Sequence, residues 1–90
     1  MRIQPTLDRI LIEPIEEAEM VAGLVIVRDG KNAEMQMGKV VAVGAKSDIK
    51  EGTMVLYNPA AGTLIRQLRD GKYVNLRMMH DDVVQAIVLP

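Results

Sequence analysis

Leu64-Ile65-Arg66-Gln67-Leu68-Arg69-Asp70-Gly71-Lys72-Tyr73-Val74-Asn75-Leu76-Arg77-Met78 is the stretch on which the reading of the fold turns. Asp70-Gly71 is a dipeptide able to take the positive φ angles of a tight hairpin turn. It is flanked by Leu64-Ile65 on one side and by Tyr73 to Met78 on the other. In the second arm Val74, Leu76 and Met78 alternate with Tyr73, Asn75 and Arg77, the period-two pattern of a strand with one buried and one wet face. The stretch is expected to be a β-hairpin.

Working outward, the same grammar of short apolar runs between breakers recurs. Ile10-Leu11-Ile12 lies between Asp8-Arg9 and Glu13-Pro14, and Val40 to Val43 lies between Gly38 and Gly44. Met54-Val55-Leu56-Tyr57 starts after Gly52 and stops before Asn58-Pro59, a turn-forming pair. Val83 to Leu89 reads as a closing strand. No stretch carries an apolar stripe at helical spacing long enough for a helix, so the class is all-β. Strands this short and numerous in 90 residues predict one domain over residues 1–90, a small barrel whose closure removes exposed sheet edges. Residues Glu16 to Met37 fit least well: the region opens with Glu16, Glu17 and Glu19, contains Gly23 and Gly30, and has an isolated Leu24-Val25-Ile26-Val27. That region is either a strand with an irregular approach or a long functional loop.

A chain of this size buries only about 60 to 65% of its unfolded surface, so a lone subunit is expected to be marginally stable. The apolar fraction of 49% comes from aliphatic residues and seven Met, with two Tyr, no Phe and no Trp. Eleven Lys and Arg against twelve Asp and Glu give a net charge of -1, which argues against nucleic acid and anionic membranes as partners. The absence of Cys excludes disulfides, thiol nucleophiles and thiolate zinc sites. The first residues include Pro5, Asp8, Arg9 and Glu13, unlike a secretory signal, and no apolar run approaches the roughly 20 residues of a membrane helix.

Catalysis needs a nucleophile with a base, paired carboxylates or a metal cluster. His80 and Ser47 are the only residues of their types and neither sits in a nucleophile motif; His80 reads as a solvated loop residue. His80-Asp81-Asp82 reads as a polar turn, because adjacent side chains in an extended segment point apart and do not converge on one ion. Gly38-Lys39 and Gly71-Lys72 lack the rest of a phosphate cradle, so no ATP site, cofactor or enzymatic activity is expected. A small barrel that binds nucleic acid is the alternative, with only Tyr57 and Tyr73 to stack on bases.

From Ile3 the chain runs Ile-Gln-Pro-Thr-Leu-Asp-Arg-Ile-Leu-Ile-Glu, and after nine residues Gly23-Leu24-Val25-Ile26-Val27. This resembles the N-terminal signature of the chaperonin-10, or GroES, family of co-chaperonins. Gly38 to Gly44, Ile49-Lys50-Glu51-Gly52, Ala61-Gly62-Thr63, Asp82-Val83-Val84 and Ala86-Ile87-Val88 extend the resemblance over nearly the whole chain. It implies a GroES-like β-barrel that assembles as a homo-heptamer and caps a GroEL-type chaperonin, with ATP bound by that partner, to help enclose non-native protein. It also implies a mobile loop over about residues 16–33 that docks on the chaperonin through Gly23, Leu24, Val25, Ile26 and Val27. In such a ring Arg2, Ile3 and Gln4 of one subunit pair with Ala86, Ile87, Val88 and Leu89 of the next. The implied location is cytoplasmic, a host's cytoplasm if a bacterial virus encodes the chain.

The chain departs from the family pattern in places. Between Gly44 and Gly52, where many relatives insert a hairpin that roofs the ring, it has only Ala45 to Glu51, too few for two paired strands; no roof hairpin is expected. Ala60 stands where relatives often place Tyr. Gln67 to Asp70 and Met78 to Asp81 are longer than usual, and Gln85 interrupts the closing motif.

Overall fold

The structure is a computed structural model that describes residues 2–15 and 35–89. Among the described residues there is no α-helix. Six strands, β1 (Arg9–Pro14), β2 (Gln36–Val43), β3 (Met54–Tyr57), β4 (Thr63–Arg69), β5 (Lys72–His80) and β6 (Ala86–Val88), form one antiparallel sheet in the order β4-β5-β1-β2-β3-β6. The β-branched and aliphatic residues that favour a pleated, half-buried surface supply its core. Ile10, Ile12, Val40, Ile49, Val55, Tyr57 and Met79 pack into one cluster, which the sheet surrounds as a small GroES-like barrel.

The hairpin at Asp70-Gly71 forms as the dipeptide predicts. Asp70 and Gly71 take φ of 51° and 79°, and β4 pairs with β5 from Thr63↔Met78 to Arg69↔Lys72. The strand expected at Met54 to Tyr57 has those bounds. Between Val43 and Met54 the chain makes turns and no strand, so no roof hairpin is present; Ile49, in this connection, is buried in the core.

Several expectations need correction. The strand expected to begin after Gly38 begins at Gln36 and runs through the glycine, which pairs with Pro14 on one side and Val55 on the other. Gly38 acts here as a site of close packing: a Cβ added to it would collide with Cγ2 of Ile12 and approach Cε1 of Tyr57 to 2.8 Å. The closing strand is shorter than Val83 to Leu89, because Asp81–Val83 forms a 3₁₀ turn and only Ala86–Val88 pairs with β3. His80 is the last residue of β5, not a loop residue. The single wet face expected for the second arm of the hairpin holds only near the turn. At the far end Met79 enters the core on the face opposite Leu76, and both are buried. Finally, the described chain does not remove its own edges: β4 and β6 each pair on one side only.

Candidate functional site

The sheet register sets which features share an end of the barrel. Because β1 is antiparallel to both β2 and β5, the end where β1 finishes at Pro14 is also where β2 begins and where the β4–β5 turn lies. Segment 16–34 leaves and re-enters at that end. Its neck is bridged: the Ile15 N–H donates to the Met37 carbonyl at 2.9 Å, and Nε2 of Gln36 donates to the carbonyls of Ile15 at 2.6 Å and Met37 at 3.0 Å. The chain therefore spans twenty residues between two points held by hydrogen bonds. The expected chaperonin-docking residues Gly23, Leu24, Val25, Ile26 and Val27, with the rest of the expected loop, lie outside the described residues.

The two halves expected for the other site, the subunit interface, lie on different parts of the sheet. Ala86, Ile87 and Val88 belong to β6, which pairs with β3 through Met54↔Val88, Val55↔Ile87 and Leu56↔Ala86 and leaves its other edge free among the described residues. Ile87 in β6 is 48% exposed and Leu89, just beyond the strand, 77%, a large apolar exposure. Arg2, Ile3 and Gln4 belong to no strand and lie beside β1 and β2. Gln4 is tied down by its Nε2 donating to the Val43 carbonyl at 2.8 Å. Arg2 and Ile3 line a groove of about 470 Å³ with Leu11, Val41 and Leu68.

Neither of the residues weighed as catalytic is arranged for it. Oγ of Ser47 donates to the Ile49 carbonyl and accepts from the Ile49 N–H, both at 3.0 Å, a local turn motif. Nδ1 of His80 lies 2.7 Å from Oδ1 of Asp8, and this hydrogen bond holds the Asp8 carboxyl below its ordinary range. Asp81 caps the neighbouring connection by accepting from the Asp48 N–H at 2.8 Å, so the acidic stretch is a structural turn. Burial of Tyr57 in the core pushes its hydroxyl pKa up to about 12.

One surface went unremarked in the sequence. Leu68 and Tyr73 are a cross-strand pair on the hairpin, 61% and 68% exposed. The alternation placed Tyr73 on the outer face, and the extra length at Gln67 to Asp70 was visible; together they were the signal.

The comparisons with known proteins agree with this architecture. Residues 2–88 match the family described as the chaperonin 10 Kd subunit. A protein named Co-chaperonin GroES from Elusimicrobium minutum is 35% identical, with 98% of this chain and 96% of the relative covered. One of the same name from Solidesulfovibrio magneticus is 30% identical over 97% and 98% of the two chains. Another from Pelagibacter ubique is 36% identical over 93% and 95%. Among the described residues the chain is a small antiparallel barrel with a long segment between its first two strands. The chain belongs to the chaperonin 10 kDa subunit family, the co-chaperonins of the GroES type.

Proposed function

We propose that the chain is a non-enzymatic co-chaperonin that assembles as a heptameric ring, caps a GroEL-type chaperonin in the cytoplasm and helps to enclose non-native protein. The observation that carries the reading is the bridged neck of segment 16–34 on a family-typical barrel. A long insertion rooted in two paired strands is the arrangement expected of a docking loop. Leu24 to Val27 supplies its apolar anchor, with Gly23 before it.

The energetics suit a releasable cap. Burying one Val or Ile side chain is worth about 1.5 to 3 kcal/mol, whereas ordering each loop residue costs about 1 to 2 kcal/mol, so a single loop binds weakly. Loops presented together on a ring act at high effective concentration, and avidity makes the cap firm while each contact remains reversible. Assembly is supported by the free outer edge of β6, against which Arg2 to Gln4 of a neighbouring subunit add a strand; head-to-tail contacts of this kind close into rings.

The test is Ile26→Ser, measured by thermal unfolding, native mass and capture on a bacterial GroEL-type chaperonin with nucleotide. Docking predicts an unaltered melting temperature and ring mass with loss of capture, because every contact loses its central anchor. A variant that unfolds would place Ile26 in the core, and one that still binds at full strength would remove its docking role.

A further inference from the structure

We propose that the β4–β5 hairpin tip and the groove beside it form a socket for a second copy of the chain, in which Leu68 and Ile3 of one subunit close over Leu89 of the next. This rests on the ring-forming co-chaperonin reading and adds to strand pairing a side-chain contact that no backbone edge supplies. Two apolar surfaces are left uncovered by the sheet. At the β6 border, Ile87 is paired with the fully buried Val55 and shares its face, yet Ile87 is 48% exposed and Leu89 after it 77%. At the β4 border, Leu64 is paired with Arg77, and Arg77 with the fully buried Ile12. Leu64 and, by period two, Leu68 therefore lie on the face that elsewhere packs the core, yet they are 46% and 61% exposed. Neither β4 nor β6 has a further strand beside it among the described residues.

The groove brings these surfaces into register. At about 470 Å³ it is of a size that takes a small ligand or a few side chains, and Ile3, Leu11, Val41 and Leu68 give it an apolar lining. Arg2 and Ile3 line it too, and they are the residues along which the ring reading adds the neighbour's β6. A strand added there brings Leu89, the residue just after Val88, to the groove's mouth. The chemistry matches: Ala86 to Leu89 carry no charge, and the groove's Arg69 is already neutralised by Glu13 at 2.9 Å. The two free edges differ as well. β4 carries Arg66 and Arg69, charges that discourage strand addition, whereas β6 has none. Unlike surfaces on one chain make a head-to-tail contact, the kind that closes into a ring. The tight turn, with Asp70 and Gly71 at positive φ, fixes Leu68 before docking, so little order is lost when the socket fills.

The chain has no Cys, so introduced thiols report on this contact alone. Full-length chains carrying Leu68→Cys and Leu89→Cys are mixed, allowed to assemble and oxidised with diamide, which takes up the two thiol hydrogens as the S–S bond forms. The expected product is a disulfide-linked pair containing one chain of each kind. In a second arm, Leu68→Asp and Leu89→Lys should each raise the concentration needed for assembly about tenfold or more, measured by sedimentation. A chain carrying both should regain part of that loss through the new ion pair. At dilutions where the ring has come apart both positions are bare, and neither substitution should shift the melting temperature of the separate subunit. Assembly of both charged variants at the parental concentration, with no mixed disulfide, overturns the socket. The co-chaperonin reading then still stands if those rings are captured by a bacterial GroEL-type chaperonin with nucleotide. A parent chain that neither assembles nor is captured overturns both. Coupling of either thiol variant only to itself assigns that surface to a two-fold contact and overturns the head-to-tail socket.

Discussion

The root and the tip of the β4–β5 hairpin are built from the same alphabet and the same period, and they meet opposite fates. At the root Leu76 is fully buried and Met79 is 4% exposed; at the tip Leu68 is 61% exposed and Tyr73 68%. The cause is what lies alongside. β5 pairs with β1 from Arg77 to His80 and with β4 from Lys72 to Met78, so toward the turn it has β4 alone. Met79 lies within the stretch paired to β1 and Leu76 one residue beyond it, whereas β1 ends too soon to cover the tip. Periodicity tells which face a residue takes but not whether anything covers that face.

The most direct attempt to break the comparison truncates the same side chain in both places. Leu76→Ala should cost about 2 to 5 kcal/mol, the range for emptying a buried leucine site. Leu68→Ala should stay within about 0.5 kcal/mol, as exposed substitutions do. Chemical denaturation of the two variants decides it; equal losses would show the tip covered in the free protein.

A smaller effect probes how tightly the barrel is filled beside β1. Gly38→Ala forces a methyl group against Ile12 and Tyr57, two fully buried side chains. Overpacking of this kind should cost about 1 to 3 kcal/mol. A neutral substitution would mean that β1 and β3 can separate locally, and the contrast between a close-packed barrel and an exposed hairpin tip would weaken.

The alkaline limb of stability reports on the same packing. The folded state holds Tyr57 neutral, with its pKa raised from 10.0 to about 12 by burial. That preference contributes fully below pH 10 and is lost as pH climbs through about 12. Denaturation midpoints followed across this window should fall for the parent chain, and Tyr57→Phe should remove this component of the fall.

The sequence carried more of the fold than of the site, for physical reasons. Asp70-Gly71 and Asn58-Pro59 specify turns through local backbone preference, so the hairpin and the end of β3 could be located from composition alone. Gly38 misled because its role is tertiary: it admits Ile12 and Tyr57 from strands distant in sequence, and nothing local distinguishes that from a breaker. The last strand was overextended because Asp81–Val83 winds into a 3₁₀ turn, with the Val84 N–H donating to the Asp81 carbonyl. The free edges of β4 and β6 among the described residues were not legible, since an unpaired edge has no signature in a single chain. The neck depends on Gln36, whose side chain bonds backbone 21 residues away and which no motif singled out.

The smallest expected effect concerns the clasp at the root. Asp8 precedes β1 and His80 ends β5; their side chains meet at 2.7 Å, and beside them the Asp81 N–H donates to the Asp8 carbonyl at 3.0 Å. Both side chains are about half exposed, so water and salt screen the pair and the backbone bond remains without it. The hydrogen bond from His80 is the largest influence lowering the Asp8 pKa from 3.8. Any stabilisation from that lowering is present above pH 3.8 and is lost as pH falls through the lowered value. His80→Gln, followed by the carboxyl carbon signal of Asp8 in an NMR titration, should move the Asp8 midpoint upward while leaving the melting curve at neutral pH superimposable on the parent's. An unmoved midpoint would mean that the clasp does not form in solution. A large fall in melting temperature would mean that the root is held by this exposed pair, whereas the comparison with the tip attributes its burial to the pairing of β5 with β1.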